Sequence, residues 1–168
     1  MKHTDIISYF IFKHFYLLIL SLTISFSAYS QTNRQYYFKN LNIDKGLSQN
    51  TVNAILQDNK GFMWFGTKDG LNRYDGISVK IFKSTNGLEN GFITCLFEDE
   101  DGMIWIGTDV NVYLYNPHNE YFEHFTQAAK NGRTINKTVY KIEAGNNGNI
   151  LISADGLGLF AMIQKTKN

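Results

Sequence analysis

From residue 51 onward the apolar residues gather in short runs, rich in β-branched and aromatic side chains and punctuated by Gly, Asp and Asn. This pattern predicts strands at roughly 51–57, 62–67, 71–75 and 78–83, because β-branched and aromatic residues suit a pleated, half-buried surface. The intervening turns read DNKG at 58–61, KDG at 68–70 and DG at 75–76, residue types that accept the positive φ of tight turns. The one continuous apolar run lies elsewhere, within residues 15–26.

The strand pattern repeats. GFMWFGTKDGLNRYDG at 61–76 is echoed by GMIWIGTDVNVYLYN at 102–116, with Trp64 and Trp105 at an offset of 41 residues. Upstream, Gly46-Leu47 matches Gly87-Leu88 and Asp58 matches Asp99; downstream, Gly66-Thr67 matches Gly107-Thr108 and Tyr74 matches Tyr115. A weaker third copy runs from Val139, with Gly148 answering Gly102 and Leu151 replacing the tryptophan, and with strands at about 138–144, 149–154 and 157–163. A period in the low forties built of strand formers marks propeller blades. Repetition also argues that these residues are architectural, since a packing residue is needed in every repeat and a catalytic one is not. Gly61, Gly70, Gly102 and Gly148 are assigned to turns. Gly66 and Gly107, inside the central strand, leave room for a neighbouring blade, and Trp64 and Trp105 fill gaps between blades.

The expected fold is all-β: propeller blades of four antiparallel strands after an N-terminal signal helix. Residues 31–45 form an outer strand and lead-in, because Tyr36–Lys39 resemble Ile81-Phe82-Lys83. Blade 1 spans 46–86, blade 2 spans 87–130 and a partial blade 3 spans 131–168. With two and a half to three blades against the usual ~4–8, the expectation is an incomplete propeller, an arc with exposed apolar edges. The chain is then either part of a longer gene product or assembles with other chains.

The pattern D-x-x-G-x-[IM]-W-[IF]-G-T-x-x-G-L-x-x-[YF] resembles the two-component regulator propeller repeat. Asp58, Gly61, Met63, Trp64, Phe65, Gly66, Thr67, Gly70, Leu71 and Tyr74 carry it in the first copy; Asp99, Gly102, Ile104, Trp105, Ile106, Gly107, Thr108 and Tyr115 carry it in the second. The second copy departs at Val110-Asn111-Val112, and the third keeps chiefly Gly148, Asp155-Gly156-Leu157 and Phe160. The resemblance implies the N-terminal periplasmic sensor region of a hybrid two-component system. Such a sensor reads oligosaccharides and relays to a histidine kinase, absent from this chain, for phosphorelay. The full-length, homodimeric protein would be anchored in the inner membrane. A standalone secreted binding or scaffold protein of propeller repeats is the alternative.

Composition narrows the choice. Sixteen Lys+Arg against 15 Asp+Glu give no electrostatic reason to expect nucleic acid, and 43% hydrophobic residues support a packed core. The single cysteine, Cys95, sits in FITCLF and reads as a buried small hydrophobe. At the N-terminus, Lys2, His3, Lys13 and His14 precede the apolar run, and Ala28 and Ser30 occupy the −3 and −1 positions before Gln31. That layout reads as a secretory signal peptide over residues 1–30, with an uncleaved anchor as its rival, so the chain is expected to be exported to the periplasm.

Little of the polar chemistry converges. FEDEDG at 97–102 holds part of a D-x-D-G calcium motif, but the later ligands are missing and the first copy has Lys60 at the matching position; a hairpin turn is the reading. His118 and His124 lack further metal ligands. No catalytic set, metal site or cofactor site is expected, and the chain is read as a non-enzyme. In a four-stranded up-and-down blade, the loops between second and third strands share a face with the links between blades. Lys68, Asp69, Asp109 and Asn111, with linkers 84–91 and 127–137, therefore form the candidate ligand-binding face.

Overall fold

The computed structural model describes residues 3–27, 35–126 and 134–162. They fall into two compact units, Met1–Lys39 and Asn40–Asn168.

The first unit contains one helix, α1, at His3–Ser27. Phe10, Phe12, Phe15, Leu17 and Leu18 along it are exposed. No helix among the described residues is long and apolar enough to cross a membrane. The expected cleavage residues Ala28 and Ser30 lie outside the described residues. Tyr36–Lys39, expected as an outer strand, take no strand conformation. A strand exists through its ladder of hydrogen bonds, and the three sheets contain only the strands named next.

The second unit is a series of antiparallel meanders. Blade 1 comprises β1 Val52–Gln57, β2 Met63–Thr67, β3 Gly70–Tyr74 and β4 Val79–Phe82. Blade 2 comprises β5 Ile93–Glu98, β6 Ile104–Thr108, β7 Val112–Asn116 and β8 Tyr121–His124. Blade 3 comprises β9 Val139–Ala144, β10 Ile150–Ala154 and β11 Gly158–Met162. Register repeats with the sequence: Leu56 pairs with Trp64, Phe97 with Trp105 and Glu143 with Leu151. Each first strand carries an irregularity near its start, between Val52 and Ala54, between Ile93 and Cys95, and opposite Ser153/Ala154. The first strands succeed one another in space, β1 beside β5 and β5 beside β9.

Two apolar layers hold the blades together. Trp64, Leu71 and Phe82 of blade 1 pack on Ile104, Ile106, Tyr113, Tyr115 and Phe122 of blade 2. Trp105 and Val112 of blade 2 pack on Val139, Ile142, Ile150 and Ile152 of blade 3, with Ile135 from the linker. The rings are in contact: Trp64 meets Tyr115 edge-on at 5.2 Å and stacks on Phe82 at 5.8 Å. A fully buried apolar side chain of this size is worth roughly 1.5–3 kcal/mol, while exposed ion pairs add about 0–1 kcal/mol each. The layers therefore dominate, and the Arg73–Glu120 and Lys80–Glu120 pairs joining blades 1 and 2 trim the interface.

The repeated signature residues each have a local task. Gly61 and Gly102 close the hairpins before β2 and β6 with φ of 88° and 75°, where a side chain would be strained. The Asp58 carboxylate accepts from Lys60 N (3.0 Å), Phe62 N (2.9 Å) and Trp64 Nε1 (2.8 Å). Asp99 repeats the set with Asp101 N (3.1 Å), Met103 N (2.9 Å) and Trp105 Nε1 (2.7 Å). The acidic turn FEDEDG is thus a scaffold for its tryptophan.

Candidate functional site

The loops joining β2 to β3 and β6 to β7 lie on the same face as the links between blades, and backbone bonds tie them together. Gly70 N donates to Gly91 O at 2.8 Å, Asp109 N to Phe92 O at 3.2 Å, and Asp155 N to Thr138 O at 2.8 Å. Thr67 and Thr108 end β2 and β6 and organise the loops. Thr67 Oγ1 donates to Gly70 O (2.9 Å) and accepts from Asp69 N (3.0 Å). Thr108 Oγ1 lies 2.7 Å from Asn111 Oδ1 and accepts from Asn111 N at 2.9 Å. Both threonines are buried, so this role is structural: a hydroxyl satisfying turn groups removed from water.

The four candidate residues lie on these loops but do not form one cluster. Lys68 Nζ stands 5.4 Å from the centroid of the Phe92 ring, a cation–π contact. Asp69 pairs with Lys83 Nζ at 2.7 Å, which draws both toward the link leaving blade 1. Asp109 accepts Thr138 Oγ1 on its backbone oxygen at 3.0 Å. Asn111 is committed to Thr108. Its side chain also borders a cavity of about 370 Å³ at the outer end of blade 2.

That cavity is lined by apolar Val110, Phe125 and Ile135 together with polar Asn111, His124, Thr126, Thr134 and Asn136. The lining offers amide, imidazole and hydroxyl groups, able to donate and accept hydrogen bonds. His124 is stacked on Tyr113, centroids 5.2 Å apart. Burial is the main force raising the Tyr113 hydroxyl's pKa, followed by opposing help from Asn111, so it stays a neutral phenol. Residues 127–133 of the expected linker lie outside the described residues. His124 and Phe125 were not anticipated as site residues. Their only sequence mark is a position at the end of the outer strand, just before the linker.

Among the described residues no three His, Cys, Asp or Glu side chains come together as a metal site. Cys95 is half-buried on the layer between blades 2 and 3, and burial pushes its thiol up to about 11.

Comparison with known proteins follows this geometry. The two component regulator propeller profile matches residues 46–69 and 87–110, which hold the two turn–tryptophan–threonine units. Histidine kinase P4 of Formosa agariphila is 41% identical over 68 residues, 40% of this chain and 5% of that protein. The extracellular domain of BT3049 from B. thetaiotaomicron, described as a hybrid two component system, superposes with a TM-score of 0.67 at 24% identity, over 76% of this chain and 19% of that domain. The extracellular domain of BT4673 from the same organism gives a TM-score of 0.63 at 24% identity, over 77% of this chain and 19% of that one. The chain thus spans a small part of each relative's length. Two repeats of this chain thus match the two component regulator propeller model, and the blades share the fold of those extracellular domains.

Proposed function

We propose that this chain contributes blades to the exported ligand-sensing region of a hybrid two-component sensor, the signal passing to a histidine kinase on the same full-length polypeptide. The observation that carries this reading is the pair of profile-matched repeats, in a chain that is 41% identical over 68 residues to a histidine kinase and folds like the extracellular domain of the hybrid two component system BT3049. The N-terminal pattern of basic residues, apolar run and A-x-S exit supports export to the periplasm, with the full-length protein anchored in the inner membrane and paired as a homodimer.

The ligand class proposed is an oligosaccharide, bound on the face of the β2–β3 and β6–β7 loops. The cavity beside Asn111 supports it: a lining that mixes hydrogen-bonding and apolar side chains suits a sugar, which presents hydroxyls on its rim and C–H groups on its faces. Thermal unfolding of the chain with a panel of defined oligosaccharides tests the proposal. A binding sugar should raise Tm, and His124→Ala or Asn136→Ala should abolish the shift while leaving unliganded Tm nearly unchanged. Lys68→Ala with Asp69→Ala serves as the second arm, since these residues share the face but not the cavity. A shift lost in that pair and kept in His124→Ala would move the site to blade 1; no shift with any sugar would overturn the ligand class.

A further inference from the structure

The hairpin of β7 and β8 runs one residue pair further than that of β3 and β4. Tyr115 pairs with Phe122 where Tyr74 pairs with Val79, and Asn116 pairs with Tyr121 beyond them. The turn that follows closes on itself: Asn116 Oδ1 accepts from His118 N at 2.9 Å and Asn119 Oδ1 from Tyr121 N at 3.2 Å. Glu120 ends the turn with φ of 52°, the one positive value outside glycine among the described residues. Glycine or asparagine suits that backbone better, so what the position gains from glutamate is a carboxylate. That carboxylate crosses to blade 1, 3.2 Å from Arg73 Nη1 and 2.6 Å from Lys80 Nζ.

The two cations offer more than Glu120 uses. The Arg73 guanidinium lies over the rings of Phe62 at 4.8 Å, Trp64 at 5.7 Å and Phe82 at 5.8 Å, and its side chain is only 20% exposed, so packing sets its place. Among the described residues Glu120 accepts one bond from Arg73 and one from Lys80, short of the bidentate pairing an arginine makes with a free oxyanion. Tyr115 beside them is 0% exposed, and its hydroxyl has no hydrogen-bond partner among the described residues. Burial raises that hydroxyl's pKa most; the charges acting on it are led by Arg73, which lowers it, and Glu120, which raises it. Asp58 acts on it last, its own carboxylate being spent on three donors of its hairpin. Glu120 holds its place weakly, because Lys80 and Glu120 are each 45% exposed and exposed ion pairs add little.

We propose that Arg73, Lys80 and Tyr115 form a binding site for a tetrahedral oxyanion, the sulfate or phosphate group of a ligand, which the Glu120 carboxylate covers until that group displaces it. A tetrahedral group presents an oxygen to each of the three and can engage Arg73 through two, which the tethered carboxylate does not. The site lies at the β3–β4 and β7–β8 turns, the opposite strand ends from the Lys68 and Asp109 loops, and is independent of the oligosaccharide face.

NMR titration of the full chain with sodium sulfate, phosphate and acetate, each at an ionic strength fixed with chloride, tests this. Sulfate or phosphate should move the Arg73 side-chain Nε–H and Glu120 amide signals along a saturable curve. The tighter of the two names the group, and acetate should bind several-fold more weakly. Glu120→Gln removes the tethered competitor and should tighten binding by up to about tenfold, the most that such exposed pairs are worth. Lys80→Ala, at a half-exposed position, and Tyr115→Phe, which keeps the ring, should each weaken binding several-fold. Should Tyr115→Phe lose its β-sheet circular dichroism, Lys80→Ala alone decides. Signals that follow no saturable curve in the wild type overturn the proposal, as does an affinity that Glu120→Gln and Lys80→Ala both leave unchanged. Acetate binding as tightly as sulfate and phosphate overturns the tetrahedral class.

Discussion

Ile93 of blade 2 stands where a side chain on Gly66 of blade 1 would be: an added Cβ would lie 2.5 Å from its Cγ2 and 2.9 Å from its Cβ. Both partners sit in packed structure, Ile93 fully buried, so neither has room to yield. Gly66→Ala is expected to destabilise the chain by roughly 1–3 kcal/mol through overpacking. Because the clash is with Ile93, the double variant with Ile93→Ala should lose less than the sum of the two single changes. Urea unfolding of the four proteins measures this; strict additivity would place the strain elsewhere.

The Asp58–Trp64 bond closes a hairpin and fixes the indole between blades. Asp58→Ala leaves three donors, Lys60 N, Phe62 N and the Trp64 indole, without their acceptor. Roughly 1–3 kcal/mol is expected for an unsatisfied buried group, and loss should concentrate at the interface of blades 1 and 2. Trp64 fluorescence should shift to the red in Asp58→Ala as the indole loosens, with Trp105→Phe as the background that isolates its emission.

Cys95 gives a titration with a definite sign. Burial raises its thiol from 9.0 to about 11, so the folded state favours the neutral form. That contribution is full below the unfolded value and is lost as pH rises through the folded one. At pH 8 the native protein should react with a thiol reagent roughly a hundredfold more slowly than the urea-unfolded chain, because only the thiolate attacks. Equal rates would mean that the layer between blades 2 and 3 opens readily.

Glu120 behaves oppositely. Its hydrogen bond from Lys80 (2.6 Å), aided by the charges of Lys80 and Arg73, holds its carboxyl below the usual Glu value. The stabilisation is present above the unfolded pKa and is lost as pH falls through the folded one. The group is largely exposed, so Glu120→Gln should cost no more than about 1 kcal/mol at pH 7. The difference from wild type should shrink as pH falls below the usual Glu value and in high salt; a difference indifferent to both pH and salt would assign Glu120 a role other than charge.

The strand limits, the hairpin glycines, the close approach at Gly66 and Gly107 and the burial of both tryptophans were legible in the sequence, because each depends on local chemistry multiplied by repetition. Asp58 and Asp99 were read only as turn residues; their bond to an indole six residues on depends on rotamers that spacing does not encode. The placement of the proposed face, with the Lys68 and Asp109 loops beside the linkers, was legible as topology from strand order alone. The detailed chemistry of that face was not. Lys68 and Asp69 are claimed by Phe92 and Lys83, and the cavity is assembled from a turn, the end of one strand and a linker within residues 110–136.

Blade 3 lacks the aspartate–tryptophan pair altogether: Gly145 and Leu151 occupy the two positions, and a Cβ on Gly145 would lie 3.0 Å from Leu151 Cγ. Both partners differ from those of blades 1 and 2, and the hairpin has the same closing bond, from Gly145 N to Asn149 O at 2.7 Å. The family profile stops at residue 110, yet the third meander follows with the same pairing register. Shape has outlived signature here. In proteins built this way, a tally of recognisable W-x-G-T motifs sets a floor on the number of blades, and the silent ones reveal themselves through an alternating strand pattern at the right distance.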